Sequence, residues 1–222
     1  MRSRLKQIGS HVLIPLTRWY LRKERKYQYK GTRVFVQPGV FHPGLFHSTK
    51  FLVDYLGEHS LANQSFLELG CGTGLVSIIA AKHGAQVYAS DLSMSAVKNV
   101  TRNASLNGVF ITPIHSDLFD NIDRRVFDWI VINPPYYPRT PMNESELAWF
   151  CGQNFEYYQR LFASLKDYMH ATTEVIMATT LGSELEKIIS IGKDQQLEFE
   201  LVKEKKVFFD GKDFLYRIKR AP

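Results

Sequence analysis

The chain has 222 residues and a formal net charge of +6, with 45% hydrophobic and 23% charged residues. This length suits one sizeable domain with its own core, and this composition excludes a disordered or collagen-like chain. Only two cysteines, Cys71 and Cys151, are present, which is too few for a disulfide framework. We therefore predict a reducing, cytoplasmic setting. Apolar runs such as LVSIIAA are too short to cross a bilayer, so no membrane association is predicted.

The positive charge is concentrated near the N-terminus. Residues 1–30 contain nine Lys or Arg residues and one acidic residue, whereas the remaining chain contains 19 basic and 21 acidic residues. Such a segment suits phosphate contacts, and it also suits a solvated arm that keeps the protein soluble. We predict a basic arm over residues 1–30 and one domain over residues 31–222.

The predicted elements alternate between strands and helices along most of the chain. A Pro/Gly-rich loop first leads into a helix from Ser48 to about Glu58. Strands are then predicted at 65–69, 86–90, 110–116, 127–133, 174–179, 197–202 and 214–219. Helices are predicted at 75–84, 93–107, 144–169 and 183–191.

Such alternation predicts a mainly parallel sheet with helices on both faces, because parallel neighbours need crossover connections. The last two strands follow one another directly, with a turn signal at Asp210-Gly211. We therefore predict an α/β, Rossmann-like, doubly wound fold with a mainly parallel seven-stranded sheet and an antiparallel C-terminal strand.

A glycine-rich turn, ELGCGTG, follows the first strand of this alternation. Glycines lack a side chain, so the backbone can turn sharply and approach a ligand closely. The second predicted strand ends next to Asp91, and an acid at that place in a nucleotide-binding unit typically binds ribose hydroxyls. The candidate cofactor-binding residues are Glu68, Gly70, Gly72, Gly74, Asp91 and Asp117. The alternative is that the acids are ordinary strand-end or turn-capping residues.

The turn resembles the first motif of class I AdoMet-dependent methyltransferases, E-x-G-x-G-x-G, which has no phosphate to bind. The resemblance implies S-adenosyl-L-methionine as the cofactor, with the three glycines along its methionine part. It also implies that Glu68 organises the loop near the methionine ammonium, that Asp91 binds the ribose hydroxyls, and that Asp117 faces the adenine amino group. No metal site is predicted, since His42 and His47 are loosely spaced and lack other ligands.

The stretch FDWIVINPPYY places Asn133, Pro134, Pro135 and Tyr136 at the end of the fourth predicted strand. It resembles the fourth motif of methyltransferases that act on a nitrogen conjugated to a carbonyl or an aromatic ring. Two acceptors, the Asn133 side-chain oxygen and the Pro134 carbonyl, suit the two N–H groups of such a nitrogen. The prolines restrict the backbone, and Tyr136 suits stacking on a flat group. The alternative is a rigid turn without catalytic function.

The motif occurs in two branches of these enzymes, the release-factor glutamine (HemK-type) methyltransferases and the nucleic-acid amino methyltransferases. The stretches VFVQPGVFHPGLFHSTKFLVDYL, ELAWFCGQNFEYYQRLF and FLYRIK resemble the glutamine branch and the methyltransferase small domain family. However, the bacterial release-factor enzymes carry an N-terminal helical domain where this chain has its basic segment. We predict a protein substrate such as a release factor, with a nucleic acid as the alternative. A third hypothesis is a cofactor-binding module without catalysis.

Overall fold

Nine strands and five α-helices make up the described part of the computed structural model, residues 22–45, 47–143, 146–207 and 211–221. The strands are β1 (Arg25–Tyr29), β2 (Thr32–Val36), β3 (Ser65–Leu69), β4 (Gln86–Asp91), β5 (Thr112–His115), β6 (Phe127–Ile132), β7 (Met169–Thr180), β8 (Leu197–Val207) and β9 (Gly211–Arg220). The helices are α1 (His47–Leu56), α2 (Leu75–Lys82), α3 (Met94–Leu106), α4 (Glu156–Leu165) and α5 (Leu185–Asp194). Within these ranges, none of the helices has the length and apolar character of a membrane span.

Seven of the strands form one sheet in the order β5-β4-β3-β6-β7-β9-β8. Every neighbouring pair from β5 to β7 is parallel, and β9 is antiparallel to both of its neighbours. The predicted fold is therefore confirmed. The strand order reverses between β3 and β6, and open α/β sheets bind ligands at the carboxyl ends of the strands at such a point.

Helices cover both faces of this sheet. Apolar residues of α1, α2 and α3 form one core cluster with strand residues such as Phe66 and Val131. The other cluster contains residues of α4 and α5, with Leu67 and Ile130 from the same strands. Neighbouring residues of β3 and of β6 thus belong to opposite clusters, as expected for strands buried on both faces.

The strands β1 and β2 form a separate antiparallel hairpin with its turn at Lys30 and Gly31. The predicted boundary between arm and domain falls at this turn, so residues 25–29 of the predicted arm form β1. Residues 1–21 lie outside the described residues. The division into arm and domain stays a prediction.

Three asparagines bind the free edge of β2, two of them in α3 and the third at its C-cap. They follow one another at intervals of four residues and so lie on one face of the helix: Asn99, Asn103 and Asn107. We call them the asparagine ladder. The Asn103 side chain accepts from the Phe35 N–H and donates to the Phe35 carbonyl, both at 2.9 Å. Asn99 accepts from the Gln37 N–H at 3.0 Å and donates to the Phe35 carbonyl at 2.8 Å, while Asn107 accepts from the Arg33 N–H and donates to the Arg33 carbonyl. The ladder fixes the hairpin on α3.

One predicted element is wrong. Within the described residues 146–169, the α-helix covers only Glu156–Leu165, and it is followed by a short 3-10 turn and the start of β7. Gly152 and Phe155 both have positive φ, 89° and 63°, which a continuous helix excludes. Tyr137 and Phe150 form an isolated parallel bridge instead. The predicted turn residue Asp210 lies outside the described residues.

Candidate active site at the reversal of strand order

The glycine turn lies between the end of β3 and the start of α2. The N–H groups of Gly70 and Cys71 both donate to the Ser90 carbonyl at 2.9 Å, so the turn is tied to the end of β4. Gly74 has a φ of 74°, and a Cβ there would lie 2.3 Å from a methyl carbon of Val100. Gly70 has a φ of 75°, and a Cβ there would meet nothing within 4 Å. The turn therefore packs closely against α3 at one end and faces open space at the other.

Glu68 is buried and holds the beginning of α2. The backbone N–H of Ser77, at 2.9 Å, and the Ser77 hydroxyl both donate to one of its carboxylate oxygens. Burial and, to a smaller extent, the nearby charge of Asp91 together raise the pKa of Glu68 to about 8, against the effect of the bonds from Ser77. The position of Glu68 suits the predicted organising role, because it joins the end of β3 to the first turn of the helix.

Asp91, the last residue of β4, holds the turn from the other side. One carboxylate oxygen accepts from the Gly72 N–H at 2.8 Å, and the other accepts from the Ser93 N–H at 2.9 Å. Burial raises the pKa of Asp91, against the effect of these two bonds. Each carboxylate oxygen can accept a further hydrogen bond, so two hydroxyl groups of a ligand can still be bound.

Asp117 follows β5 at the same edge of the sheet and forms an ion pair. The two terminal nitrogens of Arg160, on α4, contact Asp117 at 2.6 Å and Asp120 at 3.0 Å. The Asp117 side chain keeps 38% of its surface exposed. The structure thus brings Asp117 to the predicted edge, and its role towards an adenine group stays a prediction.

Asn133 directly follows β6, beside the glycine turn. Leu69 and Ile132 are partners in the register of β3 and β6, so Gly70 and Asn133 are the next residues on the two chains. The Tyr136 hydroxyl donates to the Asn133 side-chain oxygen at 2.5 Å, and the Asn133 side-chain nitrogen donates to the Thr49 hydroxyl at 3.4 Å. These bonds orient the amide. They also give Tyr136 a role beyond the predicted stacking, since its hydroxyl binds the acceptor that a substrate would use.

The two prolines after Asn133 are buried. Tyr158, a fully buried residue of α4, donates its hydroxyl to the Pro135 carbonyl at 3.0 Å. Among the described residues, no group donates a hydrogen bond to the Pro134 carbonyl. The segment is therefore anchored at Pro135, while the carbonyl predicted to bind a substrate N–H is left for that use.

Two loops extend over this edge of the sheet. The Phe41 ring contacts the Trp149 ring with their centres 5.6 Å apart. The Trp149 carbonyl accepts from the Tyr137 N–H at 2.9 Å. Val40 lies above the glycine turn, because a Cβ on Gly72 would lie 3.8 Å from one of its methyl carbons. The loop after β2 therefore runs from the glycine turn to the segment that follows Asn133.

The structure brings every predicted site residue to the carboxyl edge of β3 to β6, and it adds residues that the sequence analysis did not single out. The additions share one property, a hydrogen bond or ion pair to a predicted residue: Thr49, Ser77, Tyr158 and Arg160. The sequence contains one pattern that could have pointed to further residues near the site, the spacing of four residues between successive asparagines. That pattern identifies only the asparagine ladder. Asn103 of that ladder also donates to the Thr73 carbonyl inside the glycine turn at 2.9 Å.

Known proteins resemble this chain over about half of its length. A protein of Methanocaldococcus jannaschii, provisionally named a protein N5-glutamine methyltransferase, is 40% identical over 110 residues. The aligned region is 49% of this chain and 53% of that relative, so the chain spans about half of the relative's length.

Solved structures share the fold at low sequence identity. The Mtq2 chain of the E. cuniculi Mtq2–Trm112 complex, described as responsible for methylation of the termination factor eRF1, matches with a TM-score of 0.64 and 17% identity over 82% of this chain and 99% of that chain. The T. thermophilus 16S rRNA methyltransferase RsmC, in complex with AdoMet and guanosine, matches with a TM-score of 0.60 and 16% identity over 89% of this chain and 50% of that chain.

The family comparison covers most of the site. The model of the family described as Methyltransferase small domain matches residues 31–149, which include the β2 strand, the glycine turn, Asp91, Asp117 and the segment from Asn133 to Tyr136. This match extends over more than half of the chain, and it contains both motifs whose geometry is described above. The chain therefore belongs to the Methyltransferase small domain family.

Proposed function

We propose that this chain binds S-adenosyl-L-methionine at the ends of β3 and β4 and methylates a planar amide or amino nitrogen held by Asn133 and Pro134. The observation that carries the proposal is the register of β3 and β6, which makes Gly70 and Asn133 neighbours at the reversal of strand order. A cofactor on the glycine turn and a flat group at Asn133 would then be side by side, as a transfer between them requires.

The residues of the glycine turn fit this cofactor. Glu68 and Asp91 are two buried carboxyl groups, and the charge of Asp91 raises the pKa of Glu68. A ligand with positive charge and two hydroxyl groups satisfies both, because the charge stabilises the ionised acids and the hydroxyls bond to the open acceptor positions of Asp91. When bound, AdoMet supplies an electrophilic methyl group on a positively charged sulfur.

The chain's own contribution at Asn133 is orientation. The lone pair of an amide or base nitrogen is delocalised, so the nitrogen is a poor nucleophile until it becomes pyramidal. The Asn133 oxygen and the Pro134 carbonyl accept its two N–H groups and direct the lone pair towards the cofactor side. Neither acceptor is a strong base, so the pair works by holding and polarising the group, and the proton that the nitrogen loses on methylation is released to solvent. When the substrate binds, the Tyr136 hydroxyl either donates to the Asn133 oxygen together with a substrate N–H group or rotates away from it.

We propose a glutamine side chain of a protein, for example of a release factor, as the substrate. The carboxamide of glutamine is planar and presents two N–H groups, as the two acceptors require. The relative named as a protein N5-glutamine methyltransferase and the likeness to Mtq2 support this choice. The two described cysteines are buried free thiols, which supports a cytoplasmic setting for the reaction.

A nucleic acid is the second candidate substrate. The exocyclic amino group of adenine or guanine is also planar with two N–H groups, so it fits the same acceptors. The observation that favours it is the charge of the hairpin and α3: residues 22–37 and 92–110 contain eight basic residues and one acidic residue. Such an excess of positive charge suits phosphate contacts.

The test is a transfer assay with AdoMet labelled in the methyl group. The full chain is incubated in parallel with a release factor, total tRNA, rRNA or DNA, and label is measured in each fraction. We expect label in the release factor at a glutamine, and none with the Asn133→Ala variant as the matched control for contaminating activity. Label only in nucleic acid would establish the second candidate. If calorimetry shows AdoMet binding and no fraction takes up label, the chain is a binding module and the proposed activity is wrong.

A further inference from the structure

We infer that a surface distinct from the Asn133 segment binds single-stranded nucleic acid: the outer side of the β1–β2 hairpin, the exposed side of α3, and Phe110. We call this surface the hairpin–α3 face. The inference goes beyond the proposed methyl transfer, since it concerns a docking surface that would serve a nucleic-acid substrate or a protein substrate carried by a nucleic acid. Its test needs neither AdoMet nor a methyl acceptor.

The charge of this face differs in sign from that of the rest of the chain. The hairpin and α3 segments, residues 22–37 and 92–110, hold eight of the basic residues and one acid. From residue 22 onward, the remaining residues are 16 basic and 21 acidic. The helix α3 carries Lys98 and Arg102 without any acidic residue. A locally positive face on an otherwise slightly acidic chain attracts a polyanion in a defined place.

The cations on the hairpin are exposed and available. In the register of β1 and β2, Lys26 is opposite Phe35 and Gln28 is opposite Arg33. Lys26 and Arg33 are both exposed. Within the described ranges, no acidic group lies at ion-pair distance from either of them, whereas Lys30 forms a 2.8 Å ion pair with Asp54. Lys26 and Arg33 are therefore available to bind a negatively charged ligand.

The face is held rigidly. The asparagine ladder bonds to the β2 backbone at Arg33, Phe35 and Gln37, so the hairpin and the helix form one surface. The Arg102 guanidinium lies 3.9 Å from the centre of the Phe35 ring and forms an ion pair with Glu24. Lys26 approaches the same ring to 5.8 Å. A fixed array of charges loses little freedom when it binds a ligand.

An exposed aromatic ring completes the face. Phe110 has 85% of its surface exposed, the largest value among the apolar residues that the structure describes as exposed. It follows α3 by a short turn, three residues after Asn107, whose side chain bonds to the backbone of Arg33. Phe110 thus follows the helix that carries Lys98 and Arg102, and an exposed ring in such a basic segment suits the stacking of single-strand bases while the cations bind the phosphates.

The combination of exposed cations with the exposed Phe110 ring favours a nucleic acid over an acidic peptide as the ligand. Both ligands would be attracted by Lys26, Arg33 and the α3 cations, but only a nucleic acid gains from stacking on Phe110. A duplex hides the faces of its bases, so a single strand is expected to bind more tightly. The chemistry is shared by RNA and DNA, and the experiment separates the two.

Binding is measured by fluorescence anisotropy with the full chain and labelled 20-nucleotide oligo(U) and oligo(dT), over a series of salt concentrations. We expect the double variant Lys26→Ala/Arg33→Ala to lower the affinity about tenfold and to reduce the salt slope by about 1.4, because each phosphate neutralised on a single strand contributes about 0.7 to that slope. We expect Phe110→Ala to lower the affinity about tenfold without changing the slope. A preference between oligo(U) and oligo(dT) identifies the natural polymer.

Two variants serve as matched controls. Lys187→Ala/Lys193→Ala removes two exposed cations from α5, which packs on the opposite face of the sheet through Ile188 and Ile191. Val126→Ala removes another exposed apolar side chain, 49% exposed. Equal losses in these controls would overturn the inference, and so would a wild-type chain that does not bind. Binding of a polyglutamate peptide that is as tight and equally sensitive to Phe110→Ala would also overturn it, whatever the outcome of the methyl-transfer assay.

Discussion

Two segments at the same edge of the sheet are stabilised in opposite ways. The glycine turn is tied by backbone N–H groups to Ser90 and to the Asp91 carboxylate, and it leaves open space beside Gly70. The segment from Asn133 to Tyr136 is held by prolines and by side-chain hydroxyls, with its amide oriented on both sides. The glycine turn leaves room for a ligand, whereas the second segment fixes the orientation of the Asn133 side-chain amide. Substitutions in the two segments should therefore affect binding and turnover separately.

The largest effect is expected for Asn133→Ala. This variant removes the side-chain acceptor that orients the substrate nitrogen, so we expect the rate of transfer to fall about 100- to 1000-fold. AdoMet affinity should stay within a few-fold of the wild type, because the Asn133 side chain bonds to Tyr136 and Thr49 rather than to the glycine turn. Single-turnover rates and titration calorimetry measure the two quantities. Weakened cofactor binding with an unchanged rate would contradict the division between the two segments.

The converse effect is expected for Asp91→Ala. The variant loses the acceptors proposed for the ribose hydroxyls and also the bond that fixes the Gly72 N–H. We expect AdoMet affinity to fall at least tenfold, while the transfer rate at saturating AdoMet changes much less. Asp91→Asn is the control, because it keeps one oxygen acceptor and should lose less affinity. An equal loss in kcat at saturation would mean that Asp91 acts on the chemical step.

A smaller and more selective effect is expected within the asparagine ladder. Asn103→Asp removes the donors to the Phe35 and Thr73 carbonyls, and Asn107→Asp removes the donors to the Arg33 and Asn103 carbonyls. Both variants should lower the melting temperature, because backbone carbonyls lose a hydrogen-bond donor. Only Asn103 reaches the glycine turn. We expect a several-fold loss of AdoMet affinity in Asn103→Asp and none in Asn107→Asp. Equal losses would show that the ladder acts through stability alone.

The last effect is expected for Glu68→Gln, and it concerns the pH dependence of folding stability rather than AdoMet binding or transfer. The pKa of Glu68 is raised in the folded chain from 4.5 to about 8, so folding favours its neutral form. Its stabilising contribution is complete below about pH 4.5 and is lost as pH rises through about 8. The variant should therefore lose less free energy of unfolding than the wild type between pH 5 and pH 8. Urea unfolding measures this, with Glu186→Gln on the exposed side of α5 as the control. Parallel curves for wild type and Glu68→Gln would contradict the assignment.

Local pattern predicted most of the sheet but not the contacts that position the site. Apolar runs and glycine-containing turns predicted the positions of β3, β4 and β6, because burial of a strand and formation of a turn depend on residues that are adjacent in the sequence. The helix predicted over 144–169 failed because Gly152 and Phe155 adopt positive φ, and the segment before them pairs with Tyr137. The ladder bonds join residues 62 to 74 positions apart, so no local pattern predicts their partners. The roles of Glu68, Asp117 and Tyr136 stay predictions until ligand binding is measured.

The place of β9 between β7 and β8 has a consequence for how the chain reaches this structure. β8 is made before β9, yet within the described residues β9 is its only partner in the sheet. During synthesis, β8 therefore has no edge to join until the following ten-residue strand has left the ribosome and inserted beside β7. Truncation within β9 would expose the edges of both β7 and β8, and unpaired edges of that kind favour aggregation.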